Sequence, residues 1–184
     1  MLSEKELVRL SKLLSLVPRH QPEKIGIALD ENGWIEITTL IEQANKNNVK
    51  LSREILEEVV ATNTKKRFAF NADKTKIRAS QGHSIAVYLN YTPQTPPAIL
   101  YHGTSERALK SILENGLQKQ NRHHVHLSTD VVTARNVGQR HGRPIILRID
   151  AAAMTQNGYL FYLSENQVWL TDQVPTRYLH VQAS

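Results

Sequence analysis

A short proline-rich stretch divides the chain near its middle. Residues 91–97 read YTPQTPP, with three prolines in seven positions. Proline has a fixed φ angle and no backbone N–H, so such a stretch can form neither a helix nor an inner strand of a sheet. The chain has 184 residues, a length that suits one domain or two small lobes. We therefore predict a linker at 91–97, between lobes at 1–90 and 98–184.

The composition excludes several classes of chemistry. The chain has no cysteine, which rules out disulfides, thiolate metal sites and a cysteine nucleophile. With 40% apolar and 22% charged residues, it resembles a soluble globular protein. The N-terminus carries acids early, and the sequence has no apolar run long enough to span a bilayer. We therefore expect a cytoplasmic protein without a membrane partner.

The positive charge is concentrated locally. The net charge of +6 is shared evenly between the two halves of the chain, as a solvated basic surface would also show. Between Asn63 and Arg78, however, a single acid, Asp73, stands against six basic residues: Lys65, Lys66, Arg67, Lys74, Lys76 and Arg78. This local density of basic residues is typical of a phosphate-binding surface. A solvated basic surface and a phosphate-binding surface both remain open as interpretations.

The first half predicts helices followed by a hairpin. Leucines at helical spacing behind a Ser3–Glu6 capping box predict a helix over Ser3–Leu16 that ends before Pro18. The remaining predicted elements are extended pieces at 25–30 and 33–37 around a turn, a helix from Thr38 or Thr39 through Ala44, a helix over Ser52–Val60, and a hairpin of 68–70 with 77–79. Helices followed by a basic hairpin are the order of a winged-helix module.

The second half predicts short strands and two helices. The strands are expected at 98–101, 125–127, 144–149, 159–163 and 168–170, and the helices at 105–115 and 129–138. The fold class expected for the whole chain is therefore α+β.

Histidines are frequent in the second half, where five of the eight lie between His102 and His141. His124 and His126 would share one face of a strand, as zinc ligands could. No Asp, Glu or Cys stands at a matching spacing, and there is no His-Glu-x-x-His helix. We therefore expect no metal site.

Three further segments carry polar groups that could bind a ligand. Arg19 and His20 follow Pro18, where we expect a loop. Arg67 precedes Phe68, and because strand residues alternate, a buried Phe68 would point Arg67 outward. In the segment His102-Gly103-Thr104 the glycine would let a ligand approach the backbone. Thr104 or Ser105 could equally be a helix N-cap.

Seven segments, taken together and in order, resemble one known family. They are Arg19-His20, Lys66-Arg67-Phe68, the stretch IRASQGHS at 77–84, YHGT at 101–104, Gly116-Leu117, the stretch RHHVHLS at 122–128, and NQVWL at 166–170. Their order and spacing are similar to those of the RNA 2′-phosphotransferases, and the resemblance runs from about Leu10 to Tyr178.

The resemblance implies a two-lobe enzyme with a winged-helix-like RNA-binding lobe and an NAD-binding lobe of the ADP-ribosyltransferase fold. Such enzymes remove an internal 2′-phosphate from RNA, of the kind left at a tRNA splice junction. The phosphate first attacks the nicotinamide-bearing ribose of NAD and releases nicotinamide, which gives a 2′-phospho-ADP-ribosyl RNA. The ribose 2″-hydroxyl then attacks phosphorus and releases ADP-ribose 1″,2″-cyclic phosphate. The expected partners are a tRNA-like RNA and NAD, and the expected state is a monomer.

The resemblance also implies site residues. The catalytic quartet maps onto Arg19, His20, Arg67 and Arg122. The NAD-binding positions map onto His102, Gly103, Thr104, His126, Ser128 and Val168, where Val168 stands in place of the glutamate common in protein-directed ADP-ribosyltransferases. Two alternatives stay open: an ADP-ribosyltransferase that modifies phosphorylated nucleic-acid ends, and a non-catalytic RNA-binding protein.

Overall fold

Two hydrophobic cores form in the chain, one on each side of Asn90. The computed structural model describes residues 3–182 and separates into two units, Met1–Asn90 and Tyr91–Ser184. The first core is built mainly from leucine and isoleucine side chains of the helices, and the second from strand residues such as Leu100, Leu147 and Leu170. Helices and small antiparallel sheets occur together, which confirms the α+β class.

The described part of the first unit, from residue 3 onward, contains three α-helices and a three-stranded antiparallel sheet. Its elements are α1 (Glu4–His20), β1 (Ile35–Glu36), α2 (Ile37–Lys46), α3 (Arg53–Ala61), β2 (Phe68–Phe70) and β3 (Lys76–Ala79). The sheet order is β1-β3-β2. The expected hairpin is confirmed, since Phe68 pairs with Ala79 and Phe70 with Ile77. Of the two expected extended pieces, only the second contains a strand, because the first begins in a 3-10 turn over Pro22–Ile25.

Helix α1 is longer than its proline predicts. It starts at the expected Ser3 capping box, but it continues through Pro18 to His20, so the predicted end before Pro18 is wrong. Proline inside a helix removes the hydrogen bond to the carbonyl one turn earlier, and its ring crowds that carbonyl. Pro18 is buried next to Val17, which belongs to the core, and the Gln21 N–H donates to the Leu16 carbonyl at 3.3 Å to close the end. Packing of the last turn therefore outweighs the lost hydrogen bond.

The second unit contains three α-helices and three small antiparallel sheets among its described residues. Its elements are β4 (Ile99–Ser105), α4 (Glu106–Asn115), β5 (Leu117–Gln118), β6 (Val125–Leu127), α5 (Val131–Gly138), β7 (Pro144–Asp150), α6 (Ala151–Gln156), β8 (Tyr162–Leu163), β9 (Trp169–Thr171), β10 (Gln173–Val174) and β11 (Leu179–Val181). The sheets have the orders β11-β7-β4, β6-β9-β8 and β10-β5.

Helix α6 was not expected from the sequence. Asp150, the last residue of β7, caps it by accepting a hydrogen bond from the Ala153 N–H at 2.9 Å. The three alanines that follow Asp150 favour a helix. Strand β4 also extends beyond the expected end at Tyr101, because all seven of its residues pair with β7.

The proline-rich stretch 91–97 belongs to the second unit. Pro93 forms an isolated antiparallel bridge with Tyr162, and the Gln94 N–H donates to the Phe161 carbonyl at 2.8 Å. The stretch contains no helix and no named strand, as its prolines require. Across residues 3–182, no helix combines the length and the apolar character needed to cross a membrane.

Helix α5 packs very closely on β4 through two glycines. A Cβ atom added to Gly103 would overlap the carbonyl oxygen of Ala134, and one added to Gly138 would lie 2.7 Å from the Thr104 carbonyl oxygen. Both obstacles are backbone atoms of a regular element, so neither can rotate away. The absence of a side chain at Gly103 and Gly138 is therefore what sets the distance between helix and strand.

We predict that Gly103→Ala destabilises the second unit by about 3 kcal/mol, the upper part of the range for overpacked sites. Thermal unfolding followed by circular dichroism measures the change. Gly158→Ala is the matched control, because Gly158 has a φ of 84° and no neighbour within 4 Å of the added Cβ, so it pays only about 1 kcal/mol of backbone strain. Equal losses of stability in the two variants would contradict the prediction, because they would show that α5 can shift away from β4.

Candidate active site

Arg19 and His20 lie on the last turn of α1, not in a loop as the sequence led us to expect. Their backbone is therefore held by the helix whose other face packs in the core. The Arg19 Nη2 atom donates to the Arg67 carbonyl oxygen at 3.3 Å. Two of the predicted site residues, Arg19 and Arg67, are thus brought together although 48 positions separate them.

Arg67 is fixed through its backbone. Its N–H donates to the Asn63 side-chain oxygen at 3.2 Å, and its carbonyl accepts from the Ser80 N–H at 2.9 Å as well as from Arg19. Phe68 is buried, as expected, and Arg67, which immediately precedes β2, is half-buried. Asn63 was not identified from the sequence, because nothing in its local pattern marks a residue that anchors a neighbouring loop.

His20 is hydrogen-bonded to a residue to which the sequence assigned no role. Its Nδ1 atom lies 2.8 Å from the Ser84 hydroxyl oxygen. The Ser84 N–H also donates to the Arg19 carbonyl at 2.9 Å. Ser84 ends the segment Gln81-Gly82-His83-Ser84, so its presence in a polar, histidine-containing segment was the available signal.

The basic density at 65–78 is partly neutralised. The Lys76 ammonium lies 3.4 Å from a Glu36 carboxylate oxygen and 3.6 Å from one of Asp30. The hydrogen bond to Glu36, followed by its charge, raises the pKa of Lys76. The Arg78 guanidinium lies over the Trp34 ring, 4.4 Å from its centroid. Lys65, Lys66 and Lys74 are exposed to solvent.

In the second unit, His102 has a defined tautomer. Its Nδ1 atom lies 2.9 Å from the His126 carbonyl oxygen. A carbonyl only accepts, so Nδ1 carries the proton and donates, while Nε2 keeps its lone pair. Burial, and to a lesser degree the charge of Arg122, lowers the pKa of His102, against the opposing effect of this hydrogen bond. His102 is therefore a neutral ring that offers a hydrogen-bond acceptor at Nε2.

His126 has the opposite tautomer. The Arg122 Nη1 atom lies 2.9 Å from His126 Nδ1, and since a guanidinium only donates, Nδ1 must be the acceptor. The ring proton of His126 is therefore on Nε2, which becomes a donor. Arg122 and His102 thus both bind His126, Arg122 at its ring and His102 at its backbone carbonyl.

The other predicted cofactor positions lie on, or next to, the strands of the second unit. Thr104 is buried on β4, and Ser128 is joined to Tyr101 by two backbone hydrogen bonds of 2.8 Å. Val168 and Ser128 each lie one residue beyond the Leu127–Trp169 pair of β6 and β9.

Two interpretations of the residues around Thr104 are changed by the structure. Helix α5 fills the space beside Gly103 that a side chain would otherwise occupy. A ligand therefore cannot use that space to approach the backbone. A contact of the Gly103 backbone with a ligand stays a prediction. Ser105 occupies the N-cap position of α4, but its side chain makes no capping hydrogen bond.

His124 packs among aromatic rings. Its ring centroid lies 5.4 Å from that of Tyr162 and 6.2 Å from that of Tyr91. Burial is the main reason that the pKa of His124 is lowered. Among the side chains that the structure describes, which do not include that of His141, the His, Asp and Glu residues form no group of three or more that could hold a metal ion.

Comparison with known proteins identifies the class of enzyme. Residues 5–173 match the model of the family described as RNA 2′-phosphotransferase, Tpt1 / KptA family. A family match over most of the chain defines a phosphate-transferring class.

Individual relatives agree with this class. A protein of Rhodopirellula baltica, named probable RNA 2′-phosphotransferase, is 58% identical over 180 residues, which cover 97% of this chain and 98% of that protein. Proteins with the same name from Hahella chejuensis and Flavobacterium johnsoniae are 57% and 55% identical, over 96% and 95% of this chain and 95% and 96% of their own lengths. The chain belongs to the RNA 2′-phosphotransferase family, as the sequence motifs predicted.

We predict that the protein loses stability on acidification through about pH 6.5, the ordinary pKa of histidine. The folded protein binds fewer protons there than the unfolded chain, because the pKa values of His102 and His124 are lowered. The stability from their neutral forms is complete above that pH and falls as the pH drops toward the folded-state pKa values. Urea midpoints at a series of pH values measure the loss.

His102→Gln should lose less stability than the wild type over the same pH interval, because the buried group that resists protonation is gone. His180→Gln is the control, since His180 is exposed on β11. This variant should lose as much stability on acidification as the wild type. A His102→Gln profile parallel to the wild type would contradict the assignment of His102 as a neutral, buried ring.

Proposed function

We propose that this protein is an NAD-dependent RNA 2′-phosphotransferase that removes an internal 2′-phosphate from a tRNA-like RNA. The observation that carries the proposal is the cluster of Arg19, His20 and Arg67 on adjoining elements of the first unit, in a chain that belongs to this family. A phosphomonoester dianion needs such a set of cations and a proton donor.

The folds of the two units are part of the proposal. We assign the first unit to the winged-helix type, supported by three helices and the β2–β3 hairpin. We assign the second to the ADP-ribosyltransferase type, supported by its mixed content and its small antiparallel sheets. In this assignment the exposed Lys65, Lys66 and Lys74 contact RNA phosphates outside the reacting group.

Arginines are proposed to hold the phosphate. A planar guanidinium can bind two oxygens of one phosphate at once, which an ammonium group cannot do. Arg19, Arg67 and Arg122 take this role. The hydrogen bond from Arg122 to His126 uses one N–H of its guanidinium, so the same side chain can hold a ring on one side and an anion on the other. The cations also stabilise the charge on the phosphoryl oxygens during transfer.

The histidines of the second unit suit the hydroxyl and amide groups of NAD. A ribose hydroxyl can donate to the Nε2 lone pair of His102, and an amide carbonyl can accept from the Nε2–H of His126. Thr104 and Ser128 add hydroxyl groups, and Gly103 and Val168 are proposed to contribute backbone atoms. NAD supplies an electrophilic ribose carbon with nicotinamide as its leaving group.

The missing glutamate is consistent with the acceptor. Where other ADP-ribosyltransferases have Glu, this chain has Val168, and a carboxylate there would serve to activate a weak nucleophile. A phosphate dianion needs no such activation. In the second step the ribose 2″-hydroxyl releases its proton to solvent as its oxygen bonds to phosphorus. The bond from phosphorus to the RNA 2′-oxygen breaks, His20 gives its proton to that oxygen, and His20 then regains a proton from solvent.

The central experiment is incubation of the protein with NAD and an RNA that bears one internal 2′-phosphate. Release of nicotinamide and ADP-ribose 1″,2″-cyclic phosphate is the expected result. Controls omit NAD or use the same RNA without the 2′-phosphate. Accumulation of a stable ADP-ribosylated RNA would favour the alternative, an enzyme that modifies phosphorylated ends, and binding of RNA without turnover would favour a non-catalytic protein.

Arg122→Ala should lower turnover roughly 100-fold or more, because it removes a cation that stabilises the transferring phosphoryl group. Arg122→Lys should recover only part of this loss, since lysine keeps the charge but not the planar pair of N–H donors of the guanidinium. Arg107→Ala, at an exposed arginine of α4, is the matched control and should keep wild-type turnover. Full activity of Arg122→Ala with an intact fold would contradict the assignment.

His20→Ala should slow the second step roughly 100- to 10,000-fold, the usual contribution of a general acid, while the first step continues. A single-turnover assay that resolves the 2′-phospho-ADP-ribosyl RNA should then show this species accumulating. An unchanged second step would exclude His20 as the proton donor.

A further inference from the structure

The hydrogen bond between His20 and Ser84 occupies one ring nitrogen of the proposed acid. Nδ1 of His20 and the Ser84 hydroxyl oxygen are 2.8 Å apart. An imidazole that delivers a proton must present one defined nitrogen to the substrate, because its two nitrogens point in different directions. With Ser84 at Nδ1, Nε2 is the ring nitrogen that the proposed proton transfer uses.

Ser84 is itself held in place relative to α1. Its N–H donates to the Arg19 carbonyl at 2.9 Å, so Ser84 is anchored on the helix that carries His20. The preceding residue, His83, is only 1% exposed, and Gly82 has a φ of 84°, which turns the chain at this point. The Ser84 hydroxyl is thus preset before any substrate binds.

We infer that Ser84 is a positioning residue for the proposed reaction. Its hydroxyl accepts the Nδ1–H of protonated His20 and so directs Nε2–H toward the departing RNA 2′-oxygen. After the proton has left Nε2, the Nδ1–H bond to Ser84 persists, and the ring stays in the same orientation for the next cycle. This inference rests on the proposed function, in which His20 is the acid.

A purely structural role explains the contact less well. Ser84 is exposed, and water would satisfy its hydroxyl if the bond to His20 were absent. The backbone bond to Arg19 already docks the segment on α1. The side-chain bond therefore adds little to stability, and its main consequence is the orientation and protonation of the ring.

The test compares Ser84→Ala with wild type in single-turnover measurements of the second step against pH. A hydrogen bond to the charged form of a histidine favours that form. Its loss should move the falling, alkaline limb of the profile to lower pH by about half to one unit, and lower the maximal rate roughly two- to tenfold. The KM for RNA should stay unchanged. The charged and titratable neighbours of the cluster, Arg19, Arg67 and His83, are the same in every variant.

Two further variants separate orientation from damage to the fold. Ser84→Thr keeps the hydroxyl and should restore both the rate and the position of the alkaline limb. Ser15→Ala removes a hydroxyl on α1 that donates to the Ser11 carbonyl of the same helix at 2.7 Å, and it should leave the profile unchanged. A Ser84→Ala profile that is lower at every pH but not displaced would overturn the inference.

A measurement without substrate separates the inference from the proposed function. Nitrogen-15 NMR of the histidine rings reports which nitrogen of His20 carries the proton, and Ser84→Ala should change the tautomer balance and lower the pKa of His20. If the wild type failed to turn over 2′-phosphorylated RNA, the proposed function would fail whatever the NMR result. If it turned over and neither the NMR signals nor the pH profile changed in Ser84→Ala, the positioning role would fail alone.

Discussion

The pairing of β4 with β7 is the constraint on which the second unit depends. Seven consecutive residue pairs, from Ile99–Asp150 to Ser105–Pro144, fix the register of the strand that carries His102 and Thr104. A slip of one residue would turn both side chains to the opposite face and bring Gly103 out of contact with α5. The same register therefore serves the core, the helix packing and the candidate site.

The carbonyl of His126 joins this strand to its neighbour. By accepting from His102, it fixes the tautomer of one ring, while Arg122 fixes that of the other. Two chemically identical side chains thus acquire opposite hydrogen-bonding roles from a backbone oxygen and a guanidinium. The difference between the two histidine tautomers therefore comes only from the groups to which each ring is hydrogen-bonded.

Local patterns predicted the features that depend on nearby residues. The Ser3 and Ser52 caps and the hairpin of 68–70 with 77–79 are confirmed, because capping and turn chemistry act over a few residues. The end of α1 was predicted wrongly, since Pro18 is buried in the folded protein, and burial is set by the tertiary structure rather than by neighbours in the sequence. Likewise, the motifs marked Arg19, His20 and Arg67 as residue types, but the Arg19–Arg67 and His20–Ser84 contacts span 48 and 64 positions, which no local pattern encodes.

The passage of α1 through Pro18 limits insertions and deletions near the candidate site. Val17, which packs in the core, and the pair Arg19 and His20 lie on one continuous helix, where each residue turns the chain by about 100°. One added or deleted residue between Val17 and Arg19 would swing both side chains around the helix axis, away from Arg67 and Ser84. A flexible loop could absorb such a change, but a helix cannot. The spacing between core and site is therefore under as strict a constraint as the identity of the residues.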